Sequence, residues 1–288
     1  MLGAIAIGSS ALFVKVSETG PVATAFWRIC IALPFLWTWS LAGSRARHAA
    51  SYRAQWRLLV AAGAFFAADL AVWHWSILLT SIANSTLLVN LAPVFVTLAA
   101  WLWLRESVSS RFMGGLALAV AGMCVLIGGD FAVTSKAVLG DALALVTAVF
   151  YAGYQITVTR LRSSIATSAL MAWTGLVSAA LLLPVALLAH EQLLPVSSGG
   201  WLTLAALALI SQVAGQSLIA YAMAHLPTTF SSVGLLMQPV AAAIFAWAWL
   251  GESVSLVQMA GGATVLLGIA FVHRAAYTET EEHDEKHF

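Results

Sequence analysis

Charge is what this sequence has least of. Only 9% of its 288 residues are Asp, Glu, Lys or Arg, 61% are hydrophobic, and the mean hydropathy is +0.92. Soluble globular domains carry about a quarter charged residues, so a water-facing surface is excluded for most of the chain. The net charge of +1 offers no basic face for nucleic acid. Cysteine is nearly absent. Cys30 and Cys124 lie in separate apolar runs and read as packing residues, not as a disulfide or a metal site. Lysine occurs three times and never after a glycine, so no phosphate-cradling nucleotide loop is present. Serines and histidines are scattered without a nucleophile motif, and no cofactor is expected. A membrane-embedded enzyme, the remote alternative, would need catalytic groups clustered near one interface. Runs of alternating polarity, the mark of a spanning β-barrel, are missing as well.

What the chain has instead is continuous apolar stretches about twenty residues long, the length of a spanning helix. Ten are predicted: 2–16, 22–42, 57–79, 83–104, 110–128, 139–160, 167–189, 200–223, 230–250 and 256–273. The fold class is therefore an all-α polytopic membrane protein with ten transmembrane helices, its partners the lipid bilayer and a small-molecule substrate, as a monomer or dimer. Met1 leads straight into an apolar run, which reads as the first span and not as a cleaved signal. Residues 275–288 are acidic and nearly free of apolar side chains, and are expected to form a disordered cytoplasmic tail.

Ala83 to Ser109 recurs 146 residues later at Thr229 to Ser255, with eleven of 27 positions identical. Pro93/Pro239, Trp101/Trp247, Trp103/Trp249 and Glu106/Glu252 fall in one register. The unit is thus duplicated, residues 1–137 and 138–274, with five spans each. An odd number of spans turns the second copy upside down in the membrane. Lysine and arginine agree. With the N-terminus in the cytoplasm, Arg45, Arg47, Arg53, Arg57, Arg105, Arg111, Arg160, Arg162, Arg274 and Lys286 share that side, against Lys15 and Lys136 opposite. Both termini are then cytoplasmic, and the membrane is the inner (plasma) membrane. Inverted repeats of this kind are a recurrent plan for secondary transporters.

The residues resemble the drug/metabolite transporter superfamily, specifically its EamA-type ten-helix exporters. The resemblance rests on Gly8-Ser9-Ser10 with Lys15, Gly20-Pro21 and Arg28, and on His74 to Asn84 followed by Leu88, Pro93 and Glu106. Tyr221 to Pro227, Ser231-Ser232, Pro239 and Gly251-Glu252 repeat the second pattern. Arg105 stands where that family commonly has glycine, and an aromatic before Gly8 is missing. The resemblance implies export of amino acids or other small metabolites through a central cavity lined by helices 1, 3, 4, 6, 8 and 9, with helices 5 and 10 peripheral.

Ionisable groups within spans are costly to bury and are presumed functional. Arg28, Asp69 and His74 qualify. On a regular helix Asp69 shares a face with Trp73, Ser76 and Thr80, while His74 lies about 140° away. Asp69 is expected either to turn toward Arg28 in a structural ion pair or to carry protons, and His74 to face the pathway. The polar residues Ser9, Asn90, Tyr151, Tyr154, Gln155, Gln212, Gln216 and Gln238 form the expected substrate-binding set. Amides and tyrosines of this kind suit a neutral or zwitterionic solute. At the 146-residue offset Asn90 meets Leu236 and Gln216 meets Leu70, so the polar set does not repeat although the scaffold does. Pro93 and Pro239 are expected to kink or hinge their helices, and Glu106 and Glu252 to cap the helices that follow. The preferred function is alternating-access export of small neutral metabolites, with large or aromatic amino acids as first choice. Proton coupling and facilitated diffusion both remain open. A proton-coupled drug or quaternary-amine exporter is the alternative, and it would need a carboxylate facing the cavity.

Overall fold

The computed structural model describes residues 1–42, 49–80, 82–99, 101–102, 109–127, 135–162, 164–226, 231, 233–250 and 256–285. Every regular element among them is helical. The first half holds α1 (Leu2–Gly8), α2 (Ser10–Lys15), α3 (Pro21–Ala42), α4 (Ala49–Leu79), α5 (Ile82–Val89), α6 (Ala92–Ala99) and α7 (Ser110–Ile127). The second holds α8 (Ser135–Arg162), α9 (Thr167–Leu188), α10 (Ser198–Ala206), a π-helical segment (Leu207–Gln216), α11 (Ser217–Ala222), a 3-10 turn (Gly234–Leu236), α12 (Met237–Leu250) and α13 (Leu256–Glu285). Pro21–Ala42, Ala54–Leu79, Ser135–Arg162, Thr167–Leu188 and Ser198–Ala222 are long and apolar enough to cross a membrane, and Leu2–Lys15, Ser110–Val125 and Met259–Val272 are shorter apolar helices.

Three predicted spans are broken, each for a local reason. Ser9 interrupts the first, turning its hydroxyl back onto the Ala6 carbonyl at 2.7 Å. In the fourth, Pro93 has no N–H to give, and the chain breaks at Asn90–Leu91 before α6 begins. In the ninth, Pro239 sits in the first turn of α12, just after the 3-10 turn, where its missing donor is tolerated. The eighth stays continuous but widens into the π segment. The backbone of α13 stays helical to Glu285, because no glycine or proline after Gly268 stops it. Glu106, Glu252, Trp103 and Arg105 lie outside the described residues.

Packing between elements is reciprocal. α3 lies along α9, and α7 along α13. α4 packs on α8 as the α10–π–α11 helix packs on α1; α5 and α6 meet α8 as α12 meets α1. The α7–α13 contact depends on glycine. A Cβ on Gly268 would stand 2.5 Å from the Ala119 backbone nitrogen, and one on Gly122 2.6 Å from that of Val265. Small residues let two backbones approach this closely in lipid. The outer surface is apolar, and Trp101 and Trp247, one repeat apart, are equally exposed at 60% and 59%. That matches an anchoring role at the boundary rather than one inside a cavity.

One face of the bundle gathers the ends of α2 and α9 and the starts of α3 and α10, and two carboxylates tie it together. Glu18 accepts hydrogen bonds from the backbone N–H groups of Val196 and Ser197 (2.8 and 2.9 Å) and from the Ser197 hydroxyl (2.5 Å) at the start of α10. Glu191 accepts from the Ala23 N–H at 2.7 Å in the first turn of α3. Each half thus caps a helix of the other, where unsatisfied N–H groups and the helix dipole favour a carboxylate. Trp27 reinforces the contact, donating Nε1–H to the Leu193 carbonyl at 2.6 Å with its ring 5.0 Å from Trp201. Glu191 is aimed by the end of α9. There His190 adopts φ 52, and the N–H groups of His190 and Glu191 reach back to Leu187 and Ala186. This is the left-handed helix end that glycine fits best. His190→Gly is expected to stabilise the protein by about 0.5–1 kcal/mol, read as a higher midpoint in thermal unfolding in detergent.

Candidate functional site

A cavity of about 600 Å³, counting its mouth, opens where the two halves meet. From the first half come Ile7, Gly8 and Ser10, Arg28 of α3, Asp69, Leu70 and Trp73 of α4, and Thr86, Val89 and Asn90 around the α5 break. From the second come Tyr151 of α8, Gln216 at the end of the π segment, and Gln238 and Ala242 of α12. Among the described residues, no lining residue belongs to α7 or α13.

The helix irregularities put the polar groups there. Asn90 stands at the α5–α6 break, its backbone N–H and its side-chain Nδ2 both bonded to the Thr86 carbonyl at 3.1 and 2.8 Å. The side chain is thereby fixed against its own helix with Oδ1 still available. The π segment buries Gln212 and Gln216, and such segments concentrate at functional sites. Gln212 does not line the cavity. It accepts the Arg28 Nε–H at 3.1 Å and so holds the guanidinium that does. Gln216 Oε1 is buried without a hydrogen-bond partner among the described residues, and the Tyr151 hydroxyl beside it interacts with the Gln216 and Gln238 side chains. Buried polar atoms in that state are rare and call for an explanation.

The remaining expected site residues stand behind this wall. Tyr154 stacks between Phe66 (4.7 Å) and Tyr151 (6.2 Å) and directs its hydroxyl to the Met171 sulfur at 3.7 Å. It supports the Tyr151 ring from behind. Gln155 is fully buried with neither amide atom partnered among the described residues. Ser9 is occupied by its bond to Ala6, and its neighbour Ser10 reaches the cavity in its place. His74 is buried outside the lining, its ring 5.1 Å from that of Trp73. His74, expected to face the pathway, is thus absent from this lining, whereas Asp69 lies in it beside Arg28. The Asp69–Trp73 side of α4 faces the cavity, and further along the same stripe Ser76 and Thr80 bond to the Gly140 carbonyl and Asp141 of α8. Asp69 and Arg28 act on each other electrostatically within that lining.

These features define a polytopic helical membrane protein with a polar cavity between two similar halves. The chain belongs to the EamA-like transporter family, which matches residues 1–128 and again residues 138–274. It is 27% identical over 203 residues to a probable terminal-alkyne amino-acid exporter of Streptantibioticus cattleyicolor, covering 70% of this chain and 67% of that one. It is 24% identical over 273 residues to an uncharacterized transporter of Archaeoglobus fulgidus, covering 90% and 91% of the two chains. A crystal structure at 19% identity superposes with a TM-score of 0.83 over 96% of this chain and 97% of its own, which establishes the shared fold.

Proposed function

We propose that this protein exports small neutral metabolites across the inner membrane, amino acids first and large or aromatic ones among them, by rocking two inverted halves about the central cavity. One observation carries the reading. Six uncharged polar side chains line the cavity, and five of them, Ser10, Asn90, Tyr151, Gln216 and Gln238, have the apolar counterparts Ile156, Leu236, Ile5, Leu70 and Ala92 at the 146-residue offset; only Thr86 meets a polar residue, Ser232. Groups that served only packing would be expected to repeat with the frame. The similarity to a protein named as an amino-acid exporter points the same way. Inversion of the halves is supported by the bonded face. α2 and α9 end on it together, so α8, which precedes α9 through a short turn, runs opposite to its counterpart α1–α2. The arginine distribution puts this face outside and both termini in the cytoplasm.

A second reading, export of drugs or quaternary amines, draws support from Asp69, a carboxylate in the cavity lining. Reconstitution in liposomes separates the two. Amino acids are expected to exchange across the membrane, and Asn90→Ala and Gln216→Ala each to slow that flux about three- to tenfold by removing one hydrogen bond. Flux of organic cations without any amino acid would sink the preferred reading.

A further inference from the structure

Asp69 alone would mark a site for cations, yet Arg28 stands in the same cavity wall. Both are nearly buried, at 7% and 2% exposed. Two opposite charges in the membrane interior are expensive to hold there. They leave the cavity with no net charge but a strong internal polarity. The Arg28 Nε–H is bound to Gln212, which fixes the plane of the guanidinium. Its two Nη groups are the edge that takes a carboxylate in bidentate fashion. Nearby, Gln216 Oε1 has no partner among the described residues, and the Tyr151 hydroxyl lies against the Gln216 and Gln238 side chains in the same lining. Together with the Asp69 carboxylate they form a set of acceptors suited to an ammonium group. Trp73 supplies an apolar wall beside them.

We infer that Arg28 and Asp69 are a two-point clamp for a zwitterion: the α-carboxylate of the substrate on Arg28, its α-ammonium on Asp69 with Gln216 and Tyr151. The inference rests on the export reading above and sharpens it, because it requires both charges on one small molecule. A solute that brings only a cation leaves Arg28 uncompensated, and one that brings only an anion leaves Asp69 so. Sites built around buried polar groups reject analogues that fail to pair them. Gln212 is a positioning residue that acts through Arg28.

The wild-type protein in liposomes decides the matter, so no variant has to fold. Phenylalanine, phenylalaninamide (cation only) and N-acetylphenylalanine (anion only) are compared by counterflow. Phenylalanine is expected to move at least about tenfold faster than either analogue. The variants add a readout that a merely structural ion pair would not give. Asp69→Asn should shift preference toward N-acetylphenylalanine, and Arg28→Gln toward phenylalaninamide. Equal transport of phenylalanine and one of its singly charged analogues overturns the clamp and leaves amino-acid export standing. Absence of flux for every amino acid overturns both.

Discussion

Gly268→Ala is expected to destabilise the protein by about 1–3 kcal/mol, although it adds one methyl group and raises helix propensity. The new Cβ would meet the Ala119 nitrogen at 2.5 Å and its Cα at 2.7 Å. Both are backbone atoms, so relief requires α7 and α13 to separate along their length. These two helices form a hydrophobic cluster that includes Phe112, Met123 and Ile269 and extends to Leu236 and Val240 of the 3-10 turn and α12. Gly114→Ala is the control on the same face of the bundle. Its nearest neighbour, a ring carbon of Phe271, lies 3.9 Å away, so that change should be neutral or slightly stabilising. Thermal unfolding in detergent compares the two directly. Equal midpoints for both variants would show that the helices are not in backbone contact.

The second large effect concerns the bonded face. Replacing Glu18 and Glu191 together by glutamine is expected to loosen the junction of α2, α3, α9 and α10, because each carboxylate caps a helix of the opposite half. Labelling of a cysteine introduced at Asn90 by a membrane-impermeant maleimide should then accelerate by about threefold or more from this side. Protonation should act in the same direction. The Ser197 hydroxyl and the N–H groups of Ser197 and Val196 hold the Glu18 carboxyl below the usual glutamate range. A carboxylate depressed in the folded state stabilises it in full above the ordinary value near about 4.3, and that contribution fades as pH falls through the depressed one. The thiolate that reacts with maleimide becomes scarcer as pH falls, so the rate is taken relative to a fully exposed cysteine; that ratio should rise with acid in the wild type and lose part of the rise in Glu18→Gln. A pH-independent ratio would remove Glu18 from the closure.

Much of this was legible in the sequence, and the rest was not for identifiable reasons. Spans follow from hydropathy, and the break at Asn90 follows from Pro93, since both are local properties. The π segment at Leu207–Gln216 carries no such mark, because it answers to tertiary packing around Arg28. The rotation at Ser9, which brings Ser10 to the cavity, is likewise invisible to a regular helix. Helical periodicity separates His74 from Asp69 around α4. Which face meets the cavity depends on neighbours that the periodicity does not name. Glu18 and Glu191 carry a signal that periodicity does not use: each stands in a short loop between apolar runs with no arginine or lysine between 16 and 20 or 189 and 197.

The reciprocal packing has one further consequence. A frame in which α4 meets α8 as the α10–π–α11 helix meets α1 treats its two ends alike. Such a frame has no inherent preference for outward over inward movement. Whatever vectorial bias the protein has must be written in positions where the halves differ, such as Asn90 against Leu236 and Gln216 against Leu70. Those side chains would then set which way the cavity rests, while net direction would follow the solute gradient and any coupled ion.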